Sequence, residues 1–425
     1  MVRNASFLAL LLASNLIACS TAEVQAPEGA DEESNENALV DVSHTPVEDQ
    51  SIGNCWIYAK ASWTESMHLR ATGESFDVSQ SYWTYWDWFD KITSGSSSYL
   101  ETKKDSAGKT TVSVSTGGSW DVSNNLIRKY GVVSEVDFAP DDAVTEMSYV
   151  QELAEEAINA SLTSGVLSTS SARKNKKLVR SELNNAFMLS ATVVASMNQV
   201  FGESTERNFS QTSAPSTSGT PFINAKAFQV AYPRLSKSTV SETKTTLSEA
   251  MNSWVSVSYP SSTSSRRALQ IRAQKALHAS APVAISWKVD FNALDRISTS
   301  PTYGSFNMKT LLGKGTVGSQ GSHQTVLEDY EVKLPDGTTL EAGITLDPVA
   351  DKSKFDSALL TTSEIVFLRT KNSWGSTYYP TEGKAGYHDL YMDYLNGPID
   401  WCNSDRSSCT TKTTPLTAFV LPPGF

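Results

Sequence analysis

The segment PVEDQSIGNCWIY at residues 46–58 decides how this chain is read. It sets Cys55 directly before an aromatic-rich run with helical spacing, marked by Ile57, Ala61, Met67 and Leu69. A thiol at a helix N-terminus faces the positive end of the macrodipole and free backbone N–H groups, and both favour thiolate. Upstream stands Gln50, whose side-chain amide is placed to donate to an oxyanion. A lone cysteine in such a helix is more often a small core residue, so the reading turns on what the rest of the chain supplies.

Toward the N-terminus, Arg3 supplies a positive charge and residues 5–18 an apolar stretch too short for an ordinary membrane span. Residues 1–18 therefore read as an export signal. The stretch ends Leu16-Ile17-Ala18-Cys19, which resembles a bacterial lipobox. That resemblance implies cleavage before Cys19 and lipid on its thiol and new amino group. The alternative is a plain signal peptide with an incidental cysteine. Residues 19–41 are acidic with almost no large apolar side chains, the composition of a solvated tether. The expected location is the bacterial cell envelope, lipid-anchored on the outer membrane or cell surface, with the bilayer as one partner.

The 425 residues suffice for one large domain or two lobes. A net charge of −11 and the lack of any basic stripe argue against a nucleic-acid partner. Cys402 and Cys409 lie in a Ser/Asp-rich loop. In an oxidising compartment they read as a local disulfide, and in a reducing one as free thiols.

Downstream of Cys55, Ser79 is positioned to cap a helix whose aromatics, Trp83, Trp86 and Trp88 among them, belong in a core. Residues 94–116 read as a polar loop or hairpin. Trp120 opens a helix that ends at Gly131. Periodicity predicts helices through residues 141–202, at 241–254 and at 265–280, with a loop at 203–225. Then the period changes, and strands are predicted at 282–289, 323–332, 339–346, 364–371 and 387–392, with a turn at Pro335-Asp336-Gly337. A helical front and a β back predict an α+β protein with two lobes, residues 42–425 forming one domain that carries a helical insertion over about 141–280.

A cysteine nucleophile needs a base within hydrogen-bond reach and a group that orients the base. The chain offers His44, His68, His278, His323 and His388. Each alone is more readily structural. His323 begins a predicted strand, and Asn372 ends a later apolar one in KNSWGSTYY (371–379). Asn372 can accept from an imidazole and fix its tautomer, and Trp374 can cover that bond. Cysteine, histidine and asparagine thus follow in the order a thiolate–imidazolium pair requires.

PVEDQSIGNCWIYA resembles the active-site segment of papain-like cysteine peptidases, GSHQTVLEDY (321–330) their histidine strand, and KNSWGSTYY with GYHDLYM (386–392) their asparagine segment and the strand after it. DVSQSYWTYWDWFDK (77–91) and TGGSWDVSNNLIRKYGVV (116–133) look closer to the bleomycin hydrolase/aminopeptidase C branch. The resemblance implies a papain-like two-lobed fold and a cysteine peptidase without cofactor or metal, acting on peptides or proteins. It makes Cys55 the nucleophile, His323 the general base and acid, Asn372 its orienting partner and Trp374 its shield. Gln50 and the Cys55 N–H would form the oxyanion hole. Gly118 matches the glycine whose backbone pairs with extended substrate.

Three departures stand out. The interval from Gln50 to Cys55 is one residue shorter than is usual in the family. The interval from His323 to Asn372 is long. The ending TAFVLPPGF (417–425) is unlike the tail that fills the cleft in the aminopeptidase branch. A papain fold that binds peptides without cutting them, and a transferase using the same acyl-enzyme, remain the competing expectations.

Overall fold

The computed structural model describes residues 42, 45–104, 108–209, 219–344, 346–347, 349–377, 385–403 and 408–425. The expected export signal, Cys19, the remainder of the tether and His44 lie outside the described residues. No helix among those described is long and apolar enough to cross a membrane.

Three helices build the front of the protein. Cys55–Thr72 is buried around most of its circumference, with Trp56, Ile57, Ala61, Trp63 and Met67 in the core and Lys60 and Glu65 buried beside them. It ends at Gly73, which takes a left-handed φ of 77° and donates its N–H to Leu69 O. In Gln80–Ser94 the Ser79 hydroxyl accepts from the Tyr82 N–H, which caps the first turn. Trp83, Trp86 and Trp88 are buried, and Trp86 stacks on Tyr130 with centroids 3.9 Å apart. Trp120–Tyr130 is capped by Ser119 and stopped by Gly131. A Cβ on Gly131 would meet Ile223 O at 2.2 Å, so this turn admits no side chain.

The middle of the chain is less helical than its periodicity predicts. Helices Tyr149–Ser164, Ser170–Lys174, Lys176–Ala186 and Ala191–Phe201 fall in the expected stretch. The helix expected over 241–254 is instead a strand, Thr239–Thr246, followed by a short helix, Leu247–Ser253. The strand pairs with Gln229–Ser236 in an antiparallel hairpin. SETKTT carries threonines on a pleated, half-exposed surface, and tertiary pairing overrides the apparent helical spacing.

The back is one antiparallel sheet. Its strand order is Tyr387–Tyr391, Glu364–Lys371, Gln320–Lys333, Ala284–Asp290, Leu416–Leu421 and Val255–Ser258, with Thr339–Leu340 paired to the end of the long third strand. Thr339–Leu340 is shorter than expected because the chain turns away at Gly343, whose N–H donates to Asp329 Oδ2. Leu416–Leu421, for which no strand was predicted, is an interior strand of the sheet, and Phe425 is buried. A second small hairpin, Ile399–Cys402 with Cys409–Thr413, sets Cys402 opposite Cys409, and the two are joined in a disulfide. The architecture is α+β, with the helical face and the sheet meeting along the line where Cys55 faces His323.

Candidate active site

Cys55 is the first residue of its helix, where backbone N–H groups have no intrahelical acceptor. The preceding Asn54 does not cap the helix. Its amide instead donates to Thr84 Oγ1 and Gln151 Oε1, which pins the helix start against its neighbours. Cys55 is 8% exposed, and its Sγ lies 4.0 Å from Ser322 O, the residue before His323. The sheet holds His323 opposite Trp287. Its Nε2 lies 2.7 Å from Asn372 Oδ1. That oxygen also accepts the Ser373 N–H at 2.8 Å. An amide turned the other way would set donor against donor, so Nε2 carries the proton and Nδ1 is the free base. Trp374 stacks on the imidazole, with centroids 4.8 Å apart and planes at 21°, and Trp287 meets it edge-on at 5.5 Å. Asn372 Nδ2 is buried and makes no hydrogen bond among the described residues.

Burial sets the resting protonation. It pushes the Cys55 thiol up to about 11, against the pull of the N–H groups of Gln324, Trp56 and Cys55 itself. It pushes His323 down to about 4, with Asn372 pulling up and His388 pushing further down. The helix terminus alone was expected to favour thiolate. That effect is worth at most about 2 kcal/mol, and desolvating a lone charge outweighs it. Each group taken alone is therefore held toward its neutral form. A proton passing from one to the other creates two opposite charges at once, and their attraction offsets the burial that each opposes alone.

Gln50 is held firmly. Its Oε1 accepts from Ser373 Oγ at 2.6 Å, its backbone N–H donates to Ser373 O, and its Nε2 donates to Ile52 O at 2.8 Å. The same Ile52 carbonyl accepts the Asn54 N–H at 2.9 Å. This double acceptance is how the shortened loop closes, and it occupies one of the two amide protons. Gly53 contributes through space rather than backbone freedom: a Cβ there would meet Thr116 Oγ1 at 2.7 Å.

Beside Cys55 and His323 lies a cleft of about 140 Å³, lined by Gly118, Ser286, Lys288, Gln324 and Thr417 among others. A Cβ on Gly118 would enter the Trp56 ring at 2.3 Å, so only glycine lets this segment lie flat on that indole. The segment is clamped from behind by Lys91, whose buried Nζ donates to Ser115 O, Gly117 O and Asp87 Oδ2. Sequence reasoning missed this clamp. The available signal was an acid and a base four residues apart inside an otherwise aromatic helix. The other described histidines are engaged elsewhere: His68 with Gln229 O, His278 with the Tyr330 hydroxyl and His388 with Gly304 O. No group of three or more His, Cys, Asp or Glu among the described residues is arranged to hold a metal ion.

Residues 8–203 match the model of the Peptidase C1-like family, a span that includes Gln50, Cys55 and Gly118. Among solved structures, the chain is similar to PepW from Lactobacillus rhamnosis HN001, at 13% identity over 93% of this chain and 84% of that one, with a TM-score of 0.41. It is also similar to the digestive procathepsin L 3 of the Tenebrio molitor larval midgut, at 14% identity over 95% of this chain and 72% of that one, with a TM-score of 0.31. No curated protein matches the chain. The family match bears out the papain-like cysteine-peptidase resemblance of the sequence.

Proposed function

We propose that this papain-like cysteine peptidase cleaves peptide bonds through a thioester at Cys55. His323 Nδ1 takes the thiol proton as Sγ attacks the carbonyl carbon. The carbonyl oxygen gains the charge, held by the Cys55 N–H and the remaining amide proton of Gln50. The imidazolium then protonates the departing nitrogen as the C–N bond breaks. Water, deprotonated by the same imidazole, attacks the thioester, and the acid leaves as the proton returns to Sγ. The observation that carries this reading is the His323–Asn372 bond of 2.7 Å under a stacked Trp374, because it leaves Nδ1 as the free acceptor of a ring that lines the same cleft as Cys55.

The test is incubation with a mixed peptide library and mass spectrometry of the products. Shortened peptides from the wild type and none from Cys55→Ala are expected. Ligated products would identify a transferase, and undiminished cleavage by Cys55→Ala would remove the thiol from the mechanism. The proposed setting is the bacterial envelope, with lipid on Cys19, and its support is the lipobox-like LIAC sequence. Cys19→Ser should then leave the signal uncleaved or release the protein from membranes. Fully processed, membrane-bound Cys19→Ser protein would refute the anchor.

A further inference from the structure

A cavity of about 740 Å³ lies between the segment after strand Ala284–Asp290 and helix Met308–Lys314. Its wall is built rather than loose. The buried Asp290 carboxylate ties both ends of the segment, accepting from the N–H of Asn292 at 2.9 Å, the N–H of Gly318 at 2.8 Å and Gln320 Nε2 at 2.8 Å. Phe306 bonds through its backbone to Asp389 and Tyr391. Asn307 caps the helix through the Thr310 N–H.

The cavity is cationic in an otherwise acidic protein. Its lining includes Arg296, Lys309 and Lys314, all exposed, and none of them is in an ion pair among the described residues. The one lining carboxylate, Asp295, is already occupied by Ser300 Oγ, Thr302 Oγ1 and the Ile297 N–H. The cavity also adjoins the catalytic pair. Phe291, on its wall, lies 5.6 Å from the Trp374 ring, which stacks on His323.

We propose that this cavity receives the leaving-group half of the substrate and selects acidic residues there, a reading that rests on the peptidase mechanism above. His323 must hand its proton to the departing nitrogen, so the departing chain lies on the imidazole flank. Trp374 and Phe291 extend that flank into the cavity. The Gly118 cleft serves the other half, on the cysteine side. Three exposed cations outnumber the single carboxylate, Asp295, whose charge Lys309 already helps to stabilise, and the excess attracts carboxylates in preference to neutral or basic side chains.

The test takes the best neutral substrate found in the peptide library and places Glu, Gln or Lys at the second and third positions after the scissile bond. Two or three partly exposed ion pairs amount to about tenfold in kcat/KM for Glu over Gln. In an Arg296→Gln, Lys309→Gln, Lys314→Gln variant that ratio should fall to about one, and the wild-type ratio should shrink with added salt. Equal rates for Glu and Gln, or a preference that survives in the variant, would overturn the assignment while Cys55-dependent cleavage kept the peptidase reading intact. If no peptide is cut, fluorescence anisotropy with the Glu peptide decides separately: binding lost in the variant supports the cavity, and absence of binding removes it.

Discussion

Two groups of buried titratable side chains meet near the Lys371–Asn372 junction: Cys55 with His323, and Lys371 with Glu48, Glu65, Asp77 and Glu328, to which Glu135 is linked through Glu48 and Asp77. A cavity of about 10 Å³ is lined by Glu48 and Lys371 of the second group and by Gln324 and Asn372, the chain neighbour and the hydrogen-bond partner of His323. Burial dominates both, with opposite consequences. In the first, it raises an acid and lowers a base, so each taken alone is held toward neutrality and one internal proton transfer charges both. In the second, it raises Glu48 and Glu135 well above the ordinary carboxylate range and Asp77 to about 7, and lowers Lys371. Acids there outnumber the base, so neutrality must come from solvent protons. A pair balanced within itself suits catalysis over a broad pH range, whereas an unbalanced cluster makes stability depend on pH.

The largest effect should follow from unbalancing the first pair. Asn372→Ala removes the acceptor that holds Nε2–H, so the ring is free to present the wrong nitrogen to Cys55. The expected loss is roughly a hundredfold in kcat with KM little changed, the low end of what positioned acid–base catalysis supplies. Steady-state kinetics on the library-derived substrate measure it. A variant with wild-type kcat would mean that Trp374 and Trp287 alone orient the imidazole.

Much of this centre was legible because its signals are local. Cys55 at a helix start, His323 near the start of a strand and Asn372 just past the end of one are each visible in their own segment, as are the caps at Ser79 and Ser119. What escaped depends on partners far along the chain. The direction of the Gln50 amide is fixed by Ser373, 323 residues away, and by the Ile52 carbonyl. The role of Lys91 is set by the carbonyls of Ser115 and Gly117, which no periodicity displays. No strand was predicted at Leu416–Leu421, because only its two neighbours, Ala284–Asp290 and Val255–Ser258, reveal it as an interior strand. The burial that opposes the helix terminus at Cys55 escaped for a related reason: the terminus is visible in sequence, whereas the depth of burial is not.

The second cluster offers the finer test, because its pH dependence has the opposite sign. His323, held near 4 against an ordinary value of about 6.5, binds fewer protons folded than unfolded between those values. Its contribution to stability is therefore lost as pH falls through that window. Asp77, held near 7 against an ordinary value of about 3.9, binds more protons folded, so its contribution is lost as pH rises through its window. Lys371 is the cation that pulls both Glu48 and Asp77 back down. It is anchored by Thr45, whose carbonyl and hydroxyl oxygens accept from Nζ at 2.6 and 3.0 Å. Lys371→Met keeps most of the packing and removes the charge. The carboxyl groups then rise further, remaining neutral at pH 5 but facing ionisation without a partner at pH 8. Urea unfolding should show a deficit of about 3 kcal/mol at pH 8, the cost of breaking a buried pair, and about 1 kcal/mol at pH 5, the cost of the lost hydrogen bonds to Thr45. Equal deficits at the two pH values would assign the whole effect to Thr45 and packing, and would leave the carboxyl groups without a part in the stability of this region.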